Sequence, residues 1–534
     1  MATLPIDEAG LGADALSPAQ REAVWVDAPV VCVRAGPGAG KTGVLTMRVA
    51  RRSGERSADP KRVQVLTFSR RAAQELHQRL AALGAEQVAA GTLHRLALRI
   101  LRDWRMHTHR PAPRLVGDRA GFLAKIGNPA LAAKRDLYRL DAEIGWAKSQ
   151  MITPERYREH PSRGTALGTT SIEWVAQRYE EYQRALEVRG LSDLDDLVLE
   201  AAAALSSDAG FAEANRWRFR HLFIDEGQDL NPAQFNLVVR LGGEHPDLFV
   251  VGDPDQAIYG WNGSDPALLL ELKSHFRQSV VIELSENHRC SEPICLLAAA
   301  ALGSNGTSTG NGRRGPVPDV TCLGDDQGER EFVAAKIITA ARSGVPFSDI
   351  AVLARTNAQL AGLSETLRGA RIPASVAGGA SGPASDVLTR GASLQLGGAD
   401  PVAQGEESVA LSTFHRAKGL QWGQVFVTGL REGVIPHESA RGQAAIDEER
   451  RLLYVAMTRA RHELHLSWAT RHARGPEGAP CRWLSSIQSA ARALADDADP
   501  GPQSHDGAAN LAAVRRQLSK GHGGTPRGGA RQDP

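Results

Sequence analysis

The chain has little cysteine for its 534 residues: Cys32, Cys290, Cys295, Cys322 and Cys481 are scattered, and no C-x-x-C pair occurs. That spacing argues against a zinc site or a disulfide framework and fits a reducing cytoplasm. No run of about 18 apolar residues is present, so no membrane span is expected. The N-terminus lacks a charged start followed by an apolar core, so no signal peptide is expected. Neither sign of charge is in large surplus, the formal net charge being +2. A polyanionic partner would therefore have to be met by a local basic groove. No internal repeat is found. What is present is ample apolar material, 42% of residues. At a prior of about 150 residues per domain, the length suggests three or four structural units.

One stretch organises the rest. Val30-Val31-Cys32-Val33-Arg34 is an apolar run of strand length, and Ala35-Gly36-Pro37-Gly38-Ala39-Gly40-Lys41-Thr42 follows as a glycine-rich turn. A helix-like run with Val44, Leu45 and Val49 comes next. This is strand, phosphate loop, helix: the loop glycines let backbone N–H groups approach phosphate oxygens, and the helix N-terminus favours negative charge. Lys41 can reach terminal phosphates and the Thr42 hydroxyl can hold Mg²⁺. Ala35 stands where the usual pattern begins with glycine, but the spacing and the Gly-Lys-Thr end are intact.

Around this stretch the pattern is α/β. Ser17 caps a helix beginning at Pro18 and containing Gln20. Val63 to Phe68 reads as a strand, with Ser69 capping the next helix. Gly91-Thr92-Leu93-His94 leads into a helix whose Arg95, Arg99 and Arg102 share one face, a pattern usually met on solvated surface. Residues 100 to 190 hold few strand-like runs. Ile172, Val175, Tyr179, Tyr182 and Leu186 recur at helical spacing, so a helical insertion is expected. Ser192-Asp193-Leu194-Asp195-Asp196 has the look of paired carboxylates but reads better as a capped helix start. Strands then resume and end in Asp225-Glu226-Gly227-Gln228-Asp229, Gly252-Asp253-Pro254-Asp255-Gln256 and Glu286-Asn287-His288-Arg289. A second α/β unit carries Arg355-Thr356-Asn357, Phe414-His415-Arg416-Ala417-Lys418-Gly419-Leu420 and Thr458-Arg459-Ala460. Beyond about residue 470 the pattern fades. The last 24 residues, with Arg515, Arg516, Lys520, Arg527 and Arg531, read as a solvated basic tail.

A phosphate loop alone allows a kinase, a GTPase or a transporter ATPase. Asp225 at a strand's carboxyl end can hold Mg²⁺ through water, and Glu226 is the candidate to polarise a water for attack on the γ-phosphate. A kinase would give that place to its acceptor substrate, so Asp-Glu favours hydrolysis. Gln228 and Gln256 are neutral groups able to sense the γ-phosphate or the attacking water. Arg289 and Arg459 can supply the cations that phosphoryl transfer needs. If they face the nucleotide, the site lies between two α/β units and its closure depends on ATP, the physical basis of a motor. A motor needs a track. Phe68, Tyr259 and Trp261, just beyond strand ends, can stack on unpaired bases. Thr92, His94, Thr356, Asn357 and His415 can bind phosphates or sugars. A non-motor binding protein with a degenerate ATP site is the opposing reading, and the intact Lys41, Thr42, Asp225, Glu226, Arg289 and Arg459 count against it. RNA stays open as the track.

With these motifs in order, the chain resembles the UvrD/Rep-type helicases of superfamily 1, which move 3′ to 5′ on single-stranded DNA. The matching stretches are Leu16 to Gln20, Ala35 to Thr42, Val65 to Leu80, Gly91 to His94, Ile224 to Asp229, Val251 to Gly263, Leu284 to Arg289, Ala354 to Gln359, Thr413 to Leu420 and Glu448 to Ala460. The resemblance implies two RecA-like P-loop parallel-sheet domains with a helical insertion, called 1B, in the first. It implies ATP and Mg²⁺ as cofactors. It assigns Gln20 to adenine, the 35–42 loop and Lys41 to the phosphates, Thr42 and Asp225 to Mg²⁺, and Glu226 to the catalytic base. Gln256, Arg289 and Arg459 go to the γ-phosphate. Phe68, Tyr259, Trp261 and His415 go to the DNA strand. The implied partners are single-stranded DNA and junctions with duplex, for a cytoplasmic, nucleoid-associated monomer without a membrane.

Four departures qualify the resemblance. Asn262 stands where the family usually has Arg, so a cation beside the DNA is lost. Gln421 stands for the Glu that contacts the ribose, and an amide can still accept that bond. His288 stands where Tyr commonly stacks on adenine. The largest departure is between residues 374 and 410, where relatives carry a whole helical subdomain called 2B. The expected division is motor domain 1A at 1–95 and 191–275, insertion 1B at 96–190, motor domain 2A at 276–373 and 409–472, a vestigial 2B linker at 374–408, and a largely disordered tail at 473–534. A reduced 2B suggests weaker self-inhibition, or a motor that translocates and displaces proteins but unwinds poorly.

Overall fold

The computed structural model describes residues 16–126, 134–160, 171–303, 309–310, 312–376, 407–471 and 477–498. The chain forms two compact units: the first runs to Leu284 and also takes in Arg441–Glu448, and the second opens at Ser285 and holds the other described residues beyond it.

Unit 1 begins with helix α1 (Pro18–Trp25), strand β1 (Val30–Ala35), helix α2 (Lys41–Gly54), strand β2 (Val63–Thr67), helix α3 (Arg70–Ala82), strand β3 (Ala89–Thr92) and helix α4 (Leu93–His107). Apart from Arg34 and Gln64, strands β1 and β2 are β-branched and apolar, and nearly every residue in them is buried. That is the signature of parallel strands covered on both faces. Each fully buried Val or Leu contributes roughly 1.5–3 kcal/mol. Ser17 caps α1 in a closed capping box with Gln20, and Ser69 caps α3.

The insertion follows as strand β4 (Arg114–Leu115) and helices α5 (Arg119–Ile126), α6 (Lys134–Ser149), α7 (Pro154–Tyr157) and α8 (Ile172–Arg189), closed by strand β5 (Leu191–Ser192), which pairs with β4. Val175, Tyr179, Tyr182 and Leu186 of α8 are buried against Leu140, Ile144 and Ala147 of α6. Helix α9 (Leu194–Ser207) opens with a reciprocal capping box between Asp193 and Asp196. The acid-rich start is thus a helix cap. It is also the anchor of the insertion. Lys148 Nζ, with a side chain fully out of solvent, lies 2.7 Å from both Asp193 Oδ2 and Asp196 Oδ1. The Tyr182 hydroxyl donates to Asp193 at 2.9 Å, and Arg119 joins Asp141, Asp193 and Asp195.

Helix α10 (Ala209–Arg218), strand β6 (His221–Ile224), helix α11 (Pro232–Gly242), strand β7 (Leu248–Gly252) and strand β8 (Ser279–Leu284) complete the unit. The sheet is parallel with order β3-β2-β6-β7-β1-β8. Strand β8 pairs with β1 along its whole length. The boundary expected at residue 275 therefore moves to Leu284, because the strand after it completes the first sheet.

Unit 2 carries strand β9 (Glu286–Asn287), helix α12 (Glu292–Leu302), strand β10 (Thr309–Gly310), strand β11 (Asp319–Asp325), helix α13 (Asp326–Arg342), strand β12 (Ile350–Ala354), helix α14 (Asn357–Gly369), strand β13 (Ala374–Val376), strand β14 (Val409–Thr413), strand β15 (Trp422–Val427), helix α15 (Gln443–Met457) and strand β16 (Ala460–Arg471). Its main sheet is again parallel, with order β11-β16-β15-β12-β14-β13. A last helix, α16 (Leu484–Ala498), lies within the span expected to be a largely disordered tail, of which residues 473–476 and 499–534 fall outside the described residues. Its Ala- and Ser-rich sequence resembles a linker, yet Trp483, Leu484, Ile487 and Ala490 are buried along one face. The expected 2B linker lies mostly outside the described residues, and the basic tail lies wholly outside them. No helix among the described residues is long and apolar enough to cross a membrane.

Candidate functional site

The carboxyl ends of β1, β6 and β7, neighbours in one parallel sheet, carry the groups of the candidate nucleotide site. The loop after β1 returns on itself through Gly38 (φ 71°) and Gly40 (φ 77°), left-handed conformations that glycine adopts without steric cost. The Gly36 N–H donates to the Leu284 carbonyl at 3.1 Å, tying the loop's start to β8. Gly40 then opens α2 with no side-chain cap, so its first N–H groups face outward as an anion cradle. Ala35, Gly36, Pro37, Gly38, Ala39, Gly40, Lys41 and Thr42 are all in this turn. Gln20, expected at adenine, is buried beneath it: its Nε2 donates to the Ala39 carbonyl at 3.0 Å, and its Oε1 accepts from the Ser17 N–H.

Lys41 Nζ donates to the carbonyls of Ala35 and Gly36, each at 3.2 Å, and lies 3.4 Å from Asp253 Oδ2. The Thr42 hydroxyl donates to Asp225 Oδ2 at 3.2 Å. Burial, and after it the neighbouring Glu226 charge, push the Asp225 carboxyl above the ordinary carboxylate range. A hydroxyl and a buried carboxylate brought together beside the loop are a donor set suited to a hard divalent cation, so these residues fit Mg²⁺. Glu226 takes a left-handed backbone (φ 57°), rare for a residue with a side chain and found where a site is over-determined by its surroundings. Gln228 Nε2 donates to Glu226 Oε2 at 2.6 Å, while Gln228 Oε1 accepts from the Asp253 N–H at 2.8 Å. Gln256 Nε2 donates to Asp253 Oδ2 at 2.6 Å. A continuous chain therefore runs from Lys41 through Asp253 and Gln228 to Glu226. Asp253 is the member that sequence reading missed. Its signal was an acid at the carboxyl end of a strand, the same signal that marked Asp225.

The DNA candidates of unit 1 gather at the ends of β2, β3 and β7. Phe68 stacks on Tyr259 with ring centroids 5.2 Å apart, and Trp261 meets Tyr259 at 6.3 Å. Tyr259 is buried, and Trp261 is half-buried. The Thr92 hydroxyl accepts from the Arg95 N–H at 3.3 Å as the cap of α4. Burial pushes the His94 imidazole below its ordinary pKa. Behind Trp261, Gln150 Nε2 donates to the Gly263 carbonyl at 2.8 Å, so the loop holding Asn262 is fastened to the insertion.

Unit 2 supplies the remaining candidates. Arg289 follows Asn287, whose Oδ1 accepts from the Arg289 and Cys290 N–H groups. Arg459 is almost fully buried, and its guanidinium donates to the carbonyls of Val455 at 2.8 Å and Leu420 at 3.3 Å. Gln421 is exposed, and His288 stands 3.7 Å from Glu286. The Thr356 side chain accepts from the Gln359 N–H and caps α14, in which Asn357 is the first residue. Burial, with Arg355 and Lys418 adding to it, pushes His415 down to about 3, so its ring is neutral near pH 7. Sequence reading passed over Arg355, which makes a bidentate buried pair with Glu449 at 2.6–3.2 Å. Glu449 also accepts from the His437 N–H. That pair braces the strand end that presents Thr356 and Asn357.

Comparison with known proteins matches residues 16–277 to the UvrD/REP helicase N-terminal domain. Residues 282–381 and 387–471 match the UvrD-like helicase C-terminal domain. The ATP-dependent DNA helicase UvrD2 of Mycobacterium tuberculosis is 32% identical over an alignment 584 positions long, which covers 90% of this chain and 82% of the relative. The ATP-dependent DNA helicase PcrA of Bacillus subtilis is 31% identical over 384 residues, covering 68% of this chain and 50% of PcrA.

Proposed function

The chain belongs to the UvrD/REP helicase family, and from that premise we propose that it is an ATP-dependent DNA helicase that moves 3′ to 5′ along single-stranded DNA. The observation that carries this reading is the joined set at the strand ends: the uncapped N-terminus of α2, the Thr42–Asp225 pair, and the chain from Lys41 to Glu226. The α2 N-terminus and Lys41 bind the phosphates of ATP. Thr42 and Asp225 would hold Mg²⁺, which when bound neutralises charge on the phosphate oxygens. Glu226, aimed by Gln228, accepts the proton of the attacking water. Gln256 and Asp253 sense whether Lys41 is on a phosphate or on a carboxylate. Arg289 and Arg459 are the cations assigned to the γ-phosphate. Phe68, Tyr259, Trp261, Thr92, His94, Thr356, Asn357 and His415 serve the strand. DNA repair, replication or recombination is the proposed setting, with a cytoplasmic monomer as the working form.

A second reading is a DNA-stimulated ATPase that strips proteins from DNA with little unwinding. Two findings favour keeping it. The C-terminal family match is broken between 381 and 387, inside the segment expected to hold a reduced 2B. The alignment to UvrD2 is longer than this whole chain while covering only part of it, so that relative carries positions without a counterpart here. Strand displacement on matched duplexes with a 3′ or a 5′ single-stranded tail, with ATP consumption measured in the same reaction, separates the two. Unwinding of the 3′-tailed duplex alone is the expected result. DNA-stimulated turnover without unwinding selects the second reading, and turnover indifferent to DNA rejects both.

A further inference from the structure

Helix α4 leaves the carboxyl end of β3 at Thr92, beside the aromatic cluster, and carries Arg95, Arg99 and Arg102 at positions i, i+4 and i+7, all exposed on one face. Among the described residues none of the three forms an ion pair. Their neighbours behave otherwise. Arg105 of the same helix lies 2.8 Å from Glu200, and Arg218 lies 2.6 Å from Asp103. The Arg99 guanidinium lies over the Phe219 ring at 5.3 Å, and that of Arg218 over the same ring at 5.5 Å. Burial, followed by the charge of Arg218 and, more weakly, of Arg95, holds Arg99 below the usual guanidinium range although Asp103 opposes them.

We propose that this face of α4 is an auxiliary track for the phosphodiester backbone of the single strand, continuing from the cluster of Phe68, Tyr259 and His94 along Arg95, Arg99 and Arg102. The inference rests on the DNA-tracking function proposed above. Two observations select the occupant. The row starts where the candidate base-stacking site ends. It is also one residue wide and spans about 10 Å along the helix, which suits one backbone rather than the two that flank a duplex groove.

The test uses the intact chain and two oligothymidylates, one short enough to fill only the aromatic cluster and one long enough to reach beyond it. Binding is titrated at several KCl concentrations. For Arg95→Gln/Arg99→Gln/Arg102→Gln, with unchanged thermal melting, the slope of log K against log salt on the long strand should fall by about 2, at roughly 0.7 per phosphate contact. The short strand should keep its slope and its stimulation of ATP turnover. The corresponding triple Lys variant should restore the long-strand slope, since lysine binds phosphate as a point charge. An unchanged long-strand slope overturns the proposal, and so does equal loss on both lengths or loss confined to blunt duplex. A native chain that binds neither oligonucleotide overturns the helicase reading and this one together. Native binding with an unaffected triple variant overturns only the arginine track.

Discussion

Lys41 and Asp253 form an ion pair at 3.4 Å in which the lysine side chain is 11% exposed and the aspartate 1%. The phosphate-loop cation is thereby held by an acid from the adjacent strand, and an incoming phosphate competes with that acid for it.

Lys41→Ala should lower ATP hydrolysis by about 10²–10³-fold, the scale for removing one preorganised group from developing charge. DNA binding should largely survive. Asp253→Asn keeps the side chain's size but drops the charge and turns one of its two accepting oxygens into a donor; its loss should still be the smaller of the two. Steady-state phosphate release alongside oligonucleotide anisotropy checks both. Turnover near the native rate in Lys41→Ala would refute the site.

Trp261→Ala should weaken single-strand binding by roughly 1–3 kcal/mol, the cost of losing one base-stacking partner. DNA-stimulated turnover should fall more than basal turnover. Equal loss of both would make Trp261 a packing residue.

Lys148→Met should destabilise the protein by about 3–5 kcal/mol, because it leaves Asp196 buried without its cation and Asp193 with Arg119 alone. Urea unfolding followed by tryptophan fluorescence reads the change. A loss under about 1 kcal/mol would mean that water reaches the cluster.

Asp247 accepts from Arg52 in a bidentate pair at 2.8 Å and meets His221 Nδ1 at 2.6 Å. Although burial opposes it, the bonds to Arg52 and His221 hold the Asp247 carboxyl well below the ordinary carboxylate range. A depressed folded-state pKa means that the stabilisation is complete above about pH 4 and is lost as pH falls further. The gap in melting temperature between the native chain and Asp247→Asn should therefore be widest near pH 7 and narrow progressively as pH falls below about 4. A constant gap across that range would refute the assignment.

Much of the site was legible because it depends on local chemistry. The Ala35–Thr42 turn, Asp225-Glu226 and the aromatic ends of strands each announce themselves within a few residues. So does the start of α9, where the capping box outweighed the image of paired catalytic acids. What escaped depends on contacts distant in sequence. Asp253 matters because β7 lies beside β1, and Arg355 because Glu449 reaches it from another helix. Arg459 is expected at the γ-phosphate, whereas the folded chain turns its guanidinium onto the carbonyls of Val455 and Leu420. The helix at 484–498 was hidden by small residues, whose burial depends on what packs against them.

Strand β8 has a practical bearing on any attempt to divide the protein. A fragment ending at residue 277, where the N-terminal family match stops, discards the partner that hydrogen-bonds β1 from Val30 to Ala35. It leaves an apolar strand with a free edge, the kind of surface on which copies pair and precipitate. It also removes the Leu284 carbonyl that anchors Gly36, so such a fragment should both self-associate and grip nucleotide poorly. A cut just after Leu284 keeps both the partner strand and the Gly36 anchor.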